Sequence, residues 1–130
     1  MAQYTYFPER GDFVHLNFSP SARREMASRH YALVLSTASF ARKTGFAVVC
    51  PITSNSDPWP FDVLVPRGIL PEKAGRSIDS VVLTDQVKSI DFREREFEFV
   101  ARATVEILDE VLGKVRAILD SNDPIAEFSG

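Results

Sequence analysis

With 130 residues, 45% of them hydrophobic and 25% charged, the chain is long enough for one hydrophobic core and too apolar for wholesale disorder. A formal net charge of −3 gives no support to a generic nucleic-acid coat, and one cysteine excludes both an internal disulfide and a cysteine-rich zinc site. No apolar run approaches the roughly 18 residues of a membrane span, and the polar start MAQYTYFPERGD is no signal peptide. The expectation is a cytoplasmic protein of one domain, 1–130, with its core over about 9–119 and a flexible tail over 120–130.

The first half reads as short strands between turns. Gly11–Phe18 alternates Val14, Leu16 and Phe18 with Phe13, His15 and Asn17, the period of a half-buried strand, and Ser19–Pro20 ends it. Tyr31–Ser36 and Phe46–Cys50 are compact apolar runs suited to strands buried on both faces, and Cys50 reads as a buried strand thiol. Between them Ala38–Lys43 predicts one short helical segment stopped by Gly45. Thr53–Pro60 predicts a loop, because two prolines among small polar residues oppose continuous pairing.

Phe61–Val65, Ser80–Ile90 and Glu96–Arg102 supply three more strand regions, and Pro66–Asp79 a second, longer loop. One long helix follows: Ile107, Leu108, Val111, Leu112, Val115, Ile118 and Leu119 form one apolar stripe behind an N-cap at Thr104. Gly113 inside that helix costs about 1 kcal/mol relative to alanine, which predicts another backbone packed closely against it.

Charge is unevenly spread. Residues 21–54 carry a net +4 and residues 91–130 a net −5. Two solvated faces explain this, as does a basic loop region that holds phosphate against an acidic scaffold.

The blocks GDFVHLNFSP, YALVLS, FARKTG, CPITS, WPFDV and VVLTDQVKSIDFRER, followed by a terminal helix, occur in this order from about Glu9 to Leu119. In that order and spacing the chain resembles the MazF/PemK/Kid family, the mRNA-cleaving toxins of bacterial toxin–antitoxin modules; PITS followed by PFDV, and TDQVKSID, are the most specific segments. The resemblance implies an α+β, mainly β fold, an SH3-like small barrel with a C-terminal helix, and in most members a homodimer. It further implies ribosome-independent, sequence-selective cleavage of single-stranded RNA by the substrate's own 2′-hydroxyl, with no cofactor and no metal, and neutralisation by a MazE-like antitoxin. That chemistry needs a base at the 2′-oxygen, an acid at the departing 5′-oxygen and donors for the crowded phosphorane.

The resemblance also assigns residues. The family threonine matches Thr53, next to Ser54; a hydroxyl there donates to a phosphate oxygen or caps the strand end. Counting back from YALVLS without a gap puts Glu25 on the family glutamate, Arg24 where some members have histidine, and His30 on the catalytic arginine, with Tyr31 on the following proline. Arg29 lies one residue earlier, and alternation of strand side chains lets it replace that arginine only if the strand begins irregularly. His30 instead offers an imidazolium or an acid–base group.

Asp85 and Gln86 match a family element implicated in catalysis or RNA contact; locally they also suffice to hold a turn. Lys88 reaches phosphate or solvent, Trp59 stacks on a base or seals a dimer, and His15 reads as a packing residue. Two readings compete with the nuclease: a non-catalytic toxin of the gyrase-poisoning CcdB type, and a degenerate member that only binds antitoxin or RNA.

Overall fold

The computed structural model describes residues 6–17, 29–54, 59–71 and 79–120. Seven strands form in chain order: β1 (Asp12–Asn17), β2 (Arg29–Val34), β3 (Phe46–Ser54), β4 (Asp62–Val65), β5 (Ser80–Leu83), β6 (Lys88–Asp91) and β7 (Glu98–Arg102). Helix α1 (Ala38–Thr44) joins β2 to β3, and helix α2 (Val105–Leu119) follows β7. The sheet runs β4-β5-β3-β2-β1-β7, with β6 paired to the other half of β3. Every pairing is antiparallel. This is the expected mainly β architecture with a C-terminal helix, but the sheet is open rather than a closed barrel, since β4 and β7 at its ends do not pair.

Strand periodicity explains how both faces are filled. On one face Phe13, Leu33, Cys50, Ile52, Val63 and Val82 pack with Ile107 and Val111 of α2. On the other, Val14, Leu16, Ala32, Val34, Ala47 and Val49 pack with Ala41 of α1 and with Ile90, Phe92 and Phe97. Burial of such side chains contributes roughly 1.5–3 kcal/mol each. Thr104 caps α2 as the sequence predicts, and Thr37 caps α1: they accept hydrogen bonds from the backbone of Ile107 and Phe40, each at 3.2 Å. Gly45 closes α1 at φ 81°, where its N–H donates to Ala41 O.

Local composition misplaces several boundaries. β2 starts at Arg29, two residues before the predicted Tyr31, because Asn17–Arg29 and Leu16–His30 continue the β1 ladder. β3 runs on to Ser54, so Thr53 and Ser54 lie in a strand and not in the predicted loop; β5 supplies their partners, Val81 and Ser80. The predicted Ser80–Ile90 strand is two strands. Buried Thr84 turns aside, its hydroxyl donating to Phe61 O at 2.6 Å, and Gln86 N–H closes a turn onto Leu83 O. β7 begins at Glu98, after a turn in which Glu96 takes φ 56° and Phe97 N–H donates to Phe92 O.

Helix α2 also differs in two respects. Among the described residues no backbone packs on Gly113: a Cβ there meets none of their atoms within 4 Å. The apolar stripe packs on the sheet through Val115, while Leu119 is 77% exposed.

Candidate active site

The β2–β3 ladder pairs Val34 with Val49 and ends at Tyr31 with Ile52. Just beyond that last pair, His30 is held on β1 opposite Leu16 and Thr53 on β5 opposite Val81, and the β2–β3 register continued by one residue would set the two toward each other. Facing positions of an antiparallel register project to the same face, so in that register imidazole and hydroxyl lie on one face of the sheet. Both side chains are exposed, although the residues beside them in the same row, Leu16 on β1 and Val81 on β5, are fully buried. The result is two polar side chains at the ends of an apolar row, His30 held by its pairing to β1 and Thr53 by its pairing to β5. A rigid backbone of this kind holds reacting groups more narrowly than a loop does.

β3 changes neighbours beside this pair. Through Val49 it pairs with β6, and from Ile52 it pairs with β5. Pro51 falls in the gap between those two ladders, where a strand tolerates a missing N–H. The Thr84–Val87 turn passes the same gap and carries Asp85 and Gln86, both exposed. The Asp85 carboxylate is felt at Cys50: burial first, and that negative charge second, push the thiol up to about 12. Asp85 therefore stands alongside the part of β3 that leads to Thr53, and the turn it was expected to hold is present.

The other candidates lie further out. Lys88 is opposite Val49, four residues along β3 from Thr53, and is exposed. It lines a cavity of about 380 Å³ with Phe46, Ser89, Ile90, Asp91 and Arg95. Trp59 is 74% exposed; its N–H donates to Asp62 Oδ2 at 2.9 Å, which pins the start of β4 and leaves the indole ring at the surface. Ser54 is exposed on the last rung, opposite Ser80. Arg24 and Glu25 lie outside the described residues, as does the side chain of Arg29, whose backbone pairs regularly with Asn17. His15 packs as expected, its ring 5.0 Å from that of Tyr31.

Chemically, these two strand ends offer a hydroxyl donor at Thr53 and, at His30, a group that is either a cation or a proton donor and acceptor. Among the described residues no three of His, Cys, Asp and Glu are grouped to hold a metal ion. Sequence reasoning missed the cavity at β6. Its signal was the Arg93-Glu94-Arg95 run after DQVKSID, which the turn at residues 92–96 folds back beside Phe46 and Lys88.

Comparison with known proteins agrees with the fold. The chain is 32% identical over 114 residues to the endoribonuclease toxin MazF of Escherichia coli strain K12, covering 88% of this chain and 96% of that protein. It is 30% identical to the endoribonuclease PemK of Escherichia coli, covering 85% and 81% respectively. MazF in a MazE–MazF crystal structure from Deinococcus radiodurans superposes with a TM-score of 0.73 at 36% identity, over 88% of this chain and 97% of that one. The family model for the PemK-like, MazF-like toxin of type II toxin–antitoxin systems matches residues 9–119, and the chain belongs to that family.

Proposed function

We propose that the chain is an endoribonuclease toxin that cleaves single-stranded RNA at selected sequences without a metal ion. The observation that carries this reading is the placing of His30 and Thr53 just past the last β2–β3 pair with the Asp85–Gln86 turn alongside, in a chain whose relatives bear endoribonuclease names. The same names favour the nuclease over a gyrase-binding or purely binding role.

The proposed step runs as follows. The substrate's 2′-oxygen attacks the adjacent phosphorus, and Glu25 takes its proton. The Thr53 hydroxyl donates to a non-bridging oxygen while negative charge builds on the phosphorane. The P–O5′ bond breaks as the His30 imidazolium gives its proton to the leaving 5′-oxygen. The products are a 2′,3′-cyclic phosphate and a 5′-hydroxyl. Arg24, Arg29, Ser54, Trp59, Gln86 and Lys88 contact the RNA around the bond. Unpaired RNA suits such a surface, because its bases expose edges and faces that a duplex hides.

The chain acts as a homodimer in this proposal, since Trp59, Leu64, Val105 and Leu119 are each at least half exposed, more apolar surface than a monomer of this size needs. A MazE-like antitoxin neutralises it by laying an acidic segment on the basic side of the sheet. Incubation with a long single-stranded RNA in EDTA tests the reading. Fragments ending in 2′,3′-cyclic phosphate are expected, and an intact RNA overturns it.

A further inference from the structure

Three polar side chains are buried among the described residues: Asp12, Asp62 and Thr84. Thr84 gives its hydroxyl to Phe61 O, and both carboxylate oxygens of Asp12 are filled, one by Arg102 and the other by the Tyr6 hydroxyl and the Glu9 N–H. Asp62 is only half used. Its Oδ2 accepts the Trp59 N–H at 2.9 Å, while Oδ1 accepts nothing among the described residues and is not one of their sealed polar atoms. Lys114 does not compensate it: that Nζ donates to the Asp62 main-chain oxygen at 3.1 Å and pairs with Glu110 at 3.3 Å. The turn needs only one acceptor from this side chain, because the Asp62 N–H closes it from the other side onto Trp59 O, and an asparagine would serve as well. A buried carboxylate oxygen without a donor costs free energy that an incoming donor recovers.

Asp62 stands on the face of the sheet that carries Thr53. Thr53 pairs with Val81 and Val81 with Leu64, so these three share one face, and strand alternation adds Asp62 and Leu83, which pair with each other. Two strand spacings of about 4.8 Å and two residues of about 3.4 Å put Asp62 about 12 Å from Thr53 between Cα atoms, a step that a sugar and base adjoining the cleaved bond cover. Trp59 is tied to Asp62 by two hydrogen bonds, and its indole, 74% exposed, starts three bonds from the nitrogen that Oδ2 binds. An aromatic plane and an open acceptor therefore stand together, and an unpaired base uses both, one for its face and one for its edge. A protein arginine suits the site less, since its fork fits two free oxygens. Guanine likewise presents two adjacent donors. One open oxygen suits a single amino group, that of cytosine N4 or adenine N6.

We propose that Asp62 is a specificity-determining residue: its Oδ1 accepts a hydrogen bond from the exocyclic amino group of an adenine or cytosine beside the cleaved bond, whose ring stacks on Trp59. Uracil carries a carbonyl oxygen at that place, sets acceptor against acceptor and is rejected. The proposal rests on reading the chain as an RNA-cleaving protein.

The test uses the full chain. After the cleaved bond is mapped on a long RNA, short oligonucleotides carry cytosine or uracil, and adenine or hypoxanthine, at one flanking position at a time; each pair exchanges an amino group for a carbonyl. The parent is expected to favour the amino base about tenfold in kcat/KM at one position. Asp62→Asn keeps the turn, with its amide oxygen on the Trp59 N–H, and so puts an N–H donor where Oδ1 was. Its preference is expected to invert towards uracil or hypoxanthine at that position and at no other. Should that variant not fold, Asp62→Ser closes the same kind of turn without a second oxygen and brings the ratio near one. A parent with no amino preference at any flanking position overturns the proposal. So does an asparagine variant with the parent's base profile, which leaves Asp62 as a turn residue only. If the parent cleaves no RNA, the nuclease reading fails separately, and anisotropy with the same oligonucleotides decides the base preference by the same comparison.

Discussion

Arg102 Nη1 lies 2.6 Å from Oδ1 of the buried Asp12, on the rung that joins β1 to β7. The other carboxylate oxygen accepts the Tyr6 hydroxyl at 2.6 Å and the Glu9 N–H at 3.0 Å. One side chain thus fastens the segment before β1 to an outer strand of the sheet. Asp12→Ala strands three donors whose bonds to the carboxylate are all part-buried, and is expected to cost about 3 kcal/mol. Asp12→Asn keeps the shape but points a donor at a donor and is expected to cost about half as much. Urea unfolding at constant m-value measures both; an Asp12→Ala midpoint equal to the parent's means that the carboxylate holds nothing.

Gly113 offers the opposite case. Its helix is regular and a methyl group meets no atom there, so Gly113→Ala is expected to stabilise by about 1 kcal/mol, a rise of about 4 °C in Tm. A lower Tm shows that some other backbone packs on this position in solution, as in a dimer.

Both positions also show what the sequence reveals. β1 and α2 are legible because their periods, 2 and 3.6, are written in adjacent residues, and the cap at Thr104 and the stop at Gly45 act locally. Thr53 and Ser54 are not legible as strand, since their partners Val81 and Ser80 are remote in the chain and no local pattern announces them. The break at Thr84 is hidden for the same reason: it depends on Phe61 O, 23 residues away. Of the candidate site, the residue types at positions 30 and 53 came from resemblance. That they lie at adjoining ends of β2 and β3, just past the last pair of that ladder, emerges only from the strand register.

Cys50 gives a pH prediction with a definite sign. Its thiol has a value near 9.0 when unfolded and about 12 in the fold, pushed up by burial and then by Asp85. Between those values the unfolded chain gives up a proton that the folded chain keeps, so stability is whole below about pH 9 and falls from there towards pH 12. Cys50→Ala is expected to flatten that fall, and the native parent should react with iodoacetamide at pH 8 far more slowly than the unfolded chain. Equal alkylation rates contradict the burial of the thiol.

Thr53→Ala separates structure from chemistry. The side chain is exposed, so unfolding should shift by less than about 1 kcal/mol. Loss of a donor aimed at the phosphorane is expected to lower kcat about a hundredfold with KM little changed. Cleavage at the parent rate makes Thr53 a residue that only completes its rung.

The sharpest prediction concerns His30 with Arg29. A phosphorane carries more negative charge than the phosphodiester, so a cation is needed beside Thr53, and the β2–β3 register continued one residue past its last pair sets there a histidine where the resembled family has arginine. An imidazolium both stabilises that charge and delivers a proton to the 5′-oxygen, but only while protonated. His30→Ala is therefore expected to abolish cleavage, and the parent's rate to fall tenfold per pH unit on the alkaline side of the imidazole's titration. His30→Arg should keep part of the activity and lose that alkaline fall, because a guanidinium stays charged. Arg29→Ala should mainly weaken RNA binding and reduce the salt slope by about 0.7, as loss of one phosphate contact does. An active His30→Ala with an inactive Arg29→Ala transfers the cation's role to Arg29 and contradicts the register argument. If both variants cleave, the proposed mechanism has no cation at this end of the sheet and fails.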